Sequence, residues 1–230
     1  MTDDLAARLA SVDARIADAA CSAGRDPAEL TRIVVTKFHP ASLVAELYRL
    51  GVRAVGENRQ QELGAKAAEL PGLAGLEWHF IGQAQTNKAR AVREVASAVH
   101  SVDRDRIADA LHRAGAPGDR PLDVLIQINL TDDPGRGGVA PGGLEPLAEH
   151  VQESCPSLRL RGVMAVAPLD EEPARAFARL HGYSEGLRRL APAAGWISAG
   201  MTGDFVEAIA AGATHLRIGS AITGPRPPHG

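Results

Sequence analysis

A chain of 230 residues with 25 Lys and Arg against 28 Asp and Glu carries a formal net charge of −3 and shows no basic stripe. That balance argues against a nucleic-acid-binding surface and points to a small-molecule partner. Two cysteines, Cys21 and Cys155, have neither CxxC nor metal spacing, so no disulfide framework or zinc site is expected, and both thiols are expected to be reduced and structural. The opening stretch MTDDLAARLASVDARIADAA carries acids early and lacks an unbroken apolar core. Neither a signal peptide nor a membrane span is expected, and the protein is expected to be soluble and cytoplasmic.

Leu5, Leu9, Val12 and Ile16 recur at spacings of three and four, the period of an amphipathic helix. Eight short apolar segments follow and predict strands at 32–37, 53–58, 77–82, 97–102, 123–129, 160–166, 195–201 and 214–219. Between them lie stretches of helical period such as PASLVAELYRLG (40–51) and RDRIADALHRAG (104–115), each closing on a glycine where a helix C-cap would fall. Eight β/α units in one α/β domain spanning 1–230 fit a single (β/α)8 TIM-type barrel with an extra N-terminal helix; a doubly wound open sheet is the alternative. The segment TDDPGRGGVAPGG (131–143) directly follows the fifth strand. It is expected to be a mobile connector on the barrel face where enzymes build their sites, with a lid role as the alternative. The final GPRPPHG (224–230) is expected to fray.

Three features of this pattern carry chemistry. If Ile33, Val35 and Lys37 share one face of the first strand, Lys37 projects toward the barrel mouth, where a partly desolvated amine can attack a carbonyl. A snorkelling lysine with its head in water is the ordinary outcome for such a residue. Arg217 sits between Leu216 and Ile218 in a strand buried on both faces, so it points into the barrel near Lys37. It needs either an anionic ligand or a carboxylate, for which Glu57 is available. Lastly, SAGMTGDF and RIGSAI place Thr202, Gly219 and Ser220 in the loops after strands seven and eight, where barrels frequently hold phosphate. Taken singly, each hydroxyl is an ordinary helix cap.

Together, a lysine ending strand one, GEN ending strand two, EWHFIGQAQTNK, LRGVM, SAGMTGDF and RIGSAITGPR resemble the pyridoxal phosphate homeostasis protein family over nearly the whole chain. That family is similar to the N-terminal barrel domain of alanine racemase, the fold type III pyridoxal phosphate barrel, without that enzyme's second, β-rich domain. The resemblance implies that Lys37 carries pyridoxal 5′-phosphate as an internal aldimine and that Arg217 faces the pyridine nitrogen. It further implies that Met201, Thr202, Gly219 and Ser220 surround the phosphate through backbone groups and hydroxyls. Asn58 of GEN and His79 of WHFIG are implied to line the ring; their ordinary alternatives are a helix cap and a satisfied core histidine. Arg59 stands where the family usually has an aromatic, Gln83 where histidine is frequent and Ala199 where methionine is common; Thr202 replaces a serine and keeps the hydroxyl.

An arginine at the ring nitrogen can only donate, which leaves that nitrogen unprotonated and weakens the ring as an electron sink. Aminotransferase chemistry is therefore not expected. Racemisation needs a base on each face of the substrate carbon, and Tyr48 and Tyr183 both fall in predicted helices. No catalytic residue is assigned. The expected function is binding of pyridoxal 5′-phosphate for vitamin B6 homeostasis, with apo pyridoxal-phosphate-dependent enzymes as recipients and a monomer or weak homodimer as the working form. An amino-acid racemase is the alternative, and a Schiff-base aldolase acting on a sugar phosphate is a third possibility.

Overall fold

β-branched and apolar residues alternate between two packing environments in this chain, and the sheet register shows which residue meets which. In the computed structural model, which describes residues 2–226, eight parallel strands close into a barrel in sequence order. They are β1 (Thr31–Val35), β2 (Ala54–Glu57), β3 (Glu77–Phe80), β4 (Ala98–Val102), β5 (Leu122–Gln127), β6 (Leu158–Met164), β7 (Trp196–Ser198) and β8 (His215–Ile218). β8 pairs back on β1, with Ile33 opposite Arg217, so the open doubly wound sheet is excluded. All eight predicted strands are present. All but β4 end one to three residues early, because the chain leaves the sheet to build the mouth; β6 also starts two residues before its expected position.

The outward set includes Val34, Val55, Val99, Val124, Val163, Leu216 and Ile218, all fully buried beneath the surrounding helices. Those helices are α1 (Thr2–Ser22), α2 (Ala41–Arg49), α3 (Gln60–Glu69), α4 (Ala89–Arg93), α5 (Asp105–Arg113), α6 (Leu144–Ser154), α7 (Pro173–Leu190), α8 (Phe205–Ala210) and α9 (Ser220–Thr223). Helix α1 buries Leu5, Leu9, Val12 and Ile16, as its spacing predicts; each such burial is worth at most about 1.5–3 kcal/mol. Polar groups of α1 and of the turn after it brace the end of the barrel. Arg8 Nε donates to the Ile222 carbonyl at 2.7 Å, and Arg25 Nη1 to the carbonyls of Ala213 at 2.6 Å and Ile209 at 3.0 Å.

Three expectations need correction. The 131–143 segment is folded down rather than a free connector: Val139 bridges to Ile128, and Asn129 Oδ1 accepts from the Thr131 N–H and hydroxyl while its Nδ2 donates to the Asp133 carbonyl. Of the expected frayed tail, Gly224 and Arg226 line a cavity at the mouth, whereas 227–230 lie outside the described residues. Both cysteines are free, and Cys155 is buried as expected, with burial pushing its thiol up to about 11. Cys21 is exposed, so it has no structural role in the core. No helix among the described residues is long and apolar enough to cross a membrane.

Candidate functional site

A cavity of about 390 Å³ opens at the C-terminal mouth of the barrel, lined by Lys37, Met201, Thr202, Arg217, Gly219 and Ser220 among others. Six of the eight residues expected at the site therefore converge. His39, Thr223 and Arg226 also line it, and no carboxylate does among the described residues. A cation-lined cavity without carboxylates favours an anionic ligand.

Lys37 is the second residue past β1 and is partly exposed to this cavity. The peptide units on either side of it are held from outside the barrel. Lys66 Nζ donates to the Thr36 carbonyl at 2.8 Å and to Glu57 Oε1 at 2.6 Å, and the Thr36 hydroxyl donates to the same Glu57 oxygen at 2.6 Å. The Phe38 N–H donates to Glu62 Oε2 at 2.8 Å. Phe38 has φ of 69°, a left-handed conformation that costs a non-glycine residue about 1 kcal/mol or more and persists only where the surroundings over-determine it. Burial raises the pKa of Glu57, and the hydrogen bonds from Lys66 and Thr36 oppose that shift. The sequence reading missed Lys66 and Glu62. Their signal was present in α3, where Lys66 falls three residues after the fully buried Leu63, on the face that packs inward.

Glu57 is not the partner of Arg217. β2 alternates, so Gly56 faces the lumen and Glu57 faces the helices, where Lys66 takes it. Arg217 instead donates through Nη1 to Ser198 Oγ at 2.7 Å and through Nη2 to the Ala165 carbonyl at 2.9 Å. Burial pushes its pKa down to about 10, with the charge of Asp204 opposing the shift, so it remains a cation at neutral pH.

The turn after β7 needs a glycine. Gly200 has φ of +88°, and a Cβ there would lie 2.7 Å from the Ala208 Cβ, so the chain can pass this close to α8 only without a side chain. The Met201 N–H that follows donates to Asp204 Oδ1 at 2.6 Å. Met201 therefore does not offer its N–H to a ligand, contrary to expectation. Thr202 and Ser220 are not caps either: the N-cap positions of α8 and α9 are Asp204 and Gly219. Both residues line the cavity.

Two expected lining residues lie elsewhere. Asn58 follows β2 beside a separate cavity of about 170 Å³ that it shares with Gln83, and its backbone carbonyl would lie 2.0 Å from a Cβ at Gly82. It does not cap α3, whose N-cap is Arg59, and its buried Oδ1 has no partner among the described residues. His79 is in the barrel interior below the cavity, 1 % exposed, with Nδ1 2.9 Å from His100 Nε2. Period-two alternation places His79 inside the barrel but not at a depth, and depth is what separates it from the mouth.

The sequence model described as the alanine racemase N-terminal domain matches residues 12–227. The chain is 43 % identical over 229 residues to the pyridoxal phosphate homeostasis protein of Escherichia coli (strain K12), covering 97 % of each. It is 41 % identical over 242 residues to the protein of the same name in Mycobacterium tuberculosis (strain ATCC 25618 / H37Rv), covering 97 % of this chain and 93 % of that one. The solved structure of PipY from Synechococcus elongatus PCC7942 with PLP bound superposes with a TM-score of 0.81 at 33 % identity, over 96 % of this chain and 100 % of PipY. With a closed barrel, a cation-lined mouth and full-length similarity of this order, the chain belongs to the pyridoxal phosphate homeostasis protein family, built on the alanine racemase N-terminal domain.

Proposed function

We propose that this chain binds pyridoxal 5′-phosphate in the mouth cavity, with Lys37 as its covalent anchor, and holds it for vitamin B6 homeostasis without a dedicated substrate. The observation that carries the reading is that the Lys37 amine and the Arg217 guanidinium share one carboxylate-free cavity. The donor set fits the group: Arg217 has N–H donors beyond the two it spends on Ser198 and Ala165. The cavity volume suits a molecule of that size, and Thr202, Gly219 and Ser220 give the wall hydroxyls and close backbone approach that a phosphate needs. When bound, the cofactor supplies an aldehyde with which a neutral lysine amine condenses, releasing water. Lys37 is the nucleophile in that reading, and the clamp on Thr36 and Phe38 fixes where its side chain starts. Arg217 orients the ring by donating to its nitrogen and keeps that nitrogen unprotonated. Thr202 and Ser220 orient the phosphate.

Among the described lining residues, His39 is the imidazole, a candidate base besides the Lys37 amine. Its pKa is lowered by burial and by the charge of Lys66, so it is a neutral base. That observation favours a second reading, an amino-acid racemase in which His39 serves as a second base besides Lys37. The two readings separate by following the α-hydrogen of each common L-amino acid in deuterated water with the loaded protein. A holder gives slow exchange spread over many amino acids. Complete racemisation of one amino acid at about 1 per second or faster would establish the enzyme instead. A holder also restores activity when mixed with an apo enzyme that requires the cofactor, and delivery to such enzymes is the proposed physiological role.

A further inference from the structure

The lumen of a (β/α)8 barrel is normally filled by branched apolar side chains. Here its middle holds His79, His100, Ser198 and Arg217, each at most 5 % exposed. They are in line. Arg217 Nη1 donates to Ser198 Oγ at 2.7 Å, Ser198 Oγ is 2.9 Å from His100 Nδ1, and His100 Nε2 is 2.9 Å from His79 Nδ1. His79 Nε2 then faces Glu77 Oε2 at 3.7 Å, within ion-pair reach though longer than a hydrogen bond. Glu77 is the first residue of β3, at the opposite end of the barrel from the mouth, and its side chain is half exposed.

We infer that His79, His100 and Ser198 form a column of hydrogen bonds whose single direction is set by the facing Glu77 carboxylate, and that it positions Arg217 from the far end of the barrel. Each member has limited options. Full burial, aided by the neighbouring charge of Arg217, holds the pKa of His100 well below the ordinary histidine value. A neutral imidazole has one donor and one acceptor nitrogen. If the Ser198 hydroxyl donates to His100 Nδ1, then His100 Nε2–H donates to His79 Nδ1, and His79 Nε2–H points at the Glu77 carboxylate. Each donor within the column then meets an acceptor, His79 Nε2–H is turned toward the Glu77 carboxylate at 3.7 Å with no hydrogen-bond partner of its own, and Ser198 keeps a lone pair for Arg217. In the reverse direction, the bare Nε2 of His79 would face a carboxylate, lone pair against anion. The carboxylate therefore selects the first arrangement. It is matched by the effect on Glu77 itself, whose pKa is lowered chiefly by its interaction with His79. His215 stands outside the column: its ring is 6.3 Å from His100 and 6.4 Å from His79, and its Nδ1 pairs with the Thr214 hydroxyl at 2.8 Å.

The role of Arg217 toward the cofactor rests on the proposed function; the column does not, so the test begins on the apo protein. With nitrogen-labelled histidine at pH 7, two-bond proton–nitrogen correlation is expected to show His79 and His100 each as a single Nε2–H tautomer. An Nδ1–H tautomer at His100 would overturn the column. Glu77→Ala, a rim substitution with little to unfold, is expected to convert His79 into a mixture of tautomers; an unchanged single tautomer would overturn the role of Glu77. Ser198→Ala cuts the column next to Arg217. It is expected to weaken pyridoxal phosphate binding about tenfold, the cost of one lost charge-assisted hydrogen bond, while Lys37 still becomes labelled. Unaltered affinity in Ser198→Ala would overturn the positioning role. Failure of the wild type to bind pyridoxal phosphate would overturn the proposed function and leave the tautomer result standing.

Discussion

Lys37 is free toward the cavity and tied down behind it, and the ties come from residues that no motif around it announces. Lys66 is 5 % exposed and donates to both Glu57 Oε1 and the Thr36 carbonyl. Lys66→Met should leave Glu57 as a buried, unpaired carboxylate and cost about 3–5 kcal/mol, read as a lower urea midpoint. Adding Glu57→Gln to it should recover part of that loss, since no charge then remains to be paired. A Lys66→Met protein as stable as the wild type would show that the pair contributes nothing. Lys37 and Arg217 were legible in the sequence because each is a cation where alternation turns a side chain toward the lumen. The proposed Glu57–Arg217 pair failed on the same rule: Glu57 is one residue out of phase with Gly56 and so faces α3. The partners that Arg217 does have, Ser198 and the Ala165 carbonyl, come from β7 and the end of β6. A contact between residues 19 and 52 positions apart leaves no local pattern to read.

At the scale of elements, all eight strands and the opening helix follow from apolar periodicity alone. The 131–143 segment did not, because what holds it is a non-local bridge. Its glycines and prolines signal correctly that no long regular element forms, but they are silent on Val139 pairing with Ile128 and on the Asn129 side chain gathering Thr131 and Asp133. Asn129→Ala removes those side-chain bonds. It should speed limited proteolysis at Arg136 about tenfold, in keeping with a loss of about 1–2 kcal/mol in local stability. Binding at the mouth should be unchanged, because residues 131–143 do not line that cavity. Slower or equal cleavage would show that the loop is held by other means. Helix α1 illustrates the converse: its apolar face was legible, whereas the bracing of the Ile222 carbonyl by Arg8 and of the Ile209 and Ala213 carbonyls by Arg25, just past the helix, was not, since a long arginine reports nothing about the distant backbone it reaches.

For the molecule as a whole, a barrel with histidines in its lumen should be sensitive to acid. Burial drives the pKa of His215 down to about 3, against about 6.5 in an unfolded chain. Between these values the unfolded state binds a proton that the native state does not, so stability is lost as pH falls through the unfolded pKa toward the folded one. His215 alone should cost about 2 kcal/mol between pH 7 and pH 5, and His100, shifted in the same direction, adds to it. Urea midpoints at the two pH values measure the loss, and His215→Gln should flatten the dependence; equal midpoints in the wild type would mean that these rings are not buried neutral. The central claim, that Lys37 anchors pyridoxal 5′-phosphate, has a direct test because the chain contains two other lysines, Lys66 and Lys88. The protein is loaded with the cofactor, reduced with borohydride, digested, and the peptides are weighed. The account predicts a pyridoxyl mass increment on the peptide carrying Lys37 alone, and none in Lys37→Ala; an increment on Lys66 or Lys88, or an undiminished one in the variant, would contradict it.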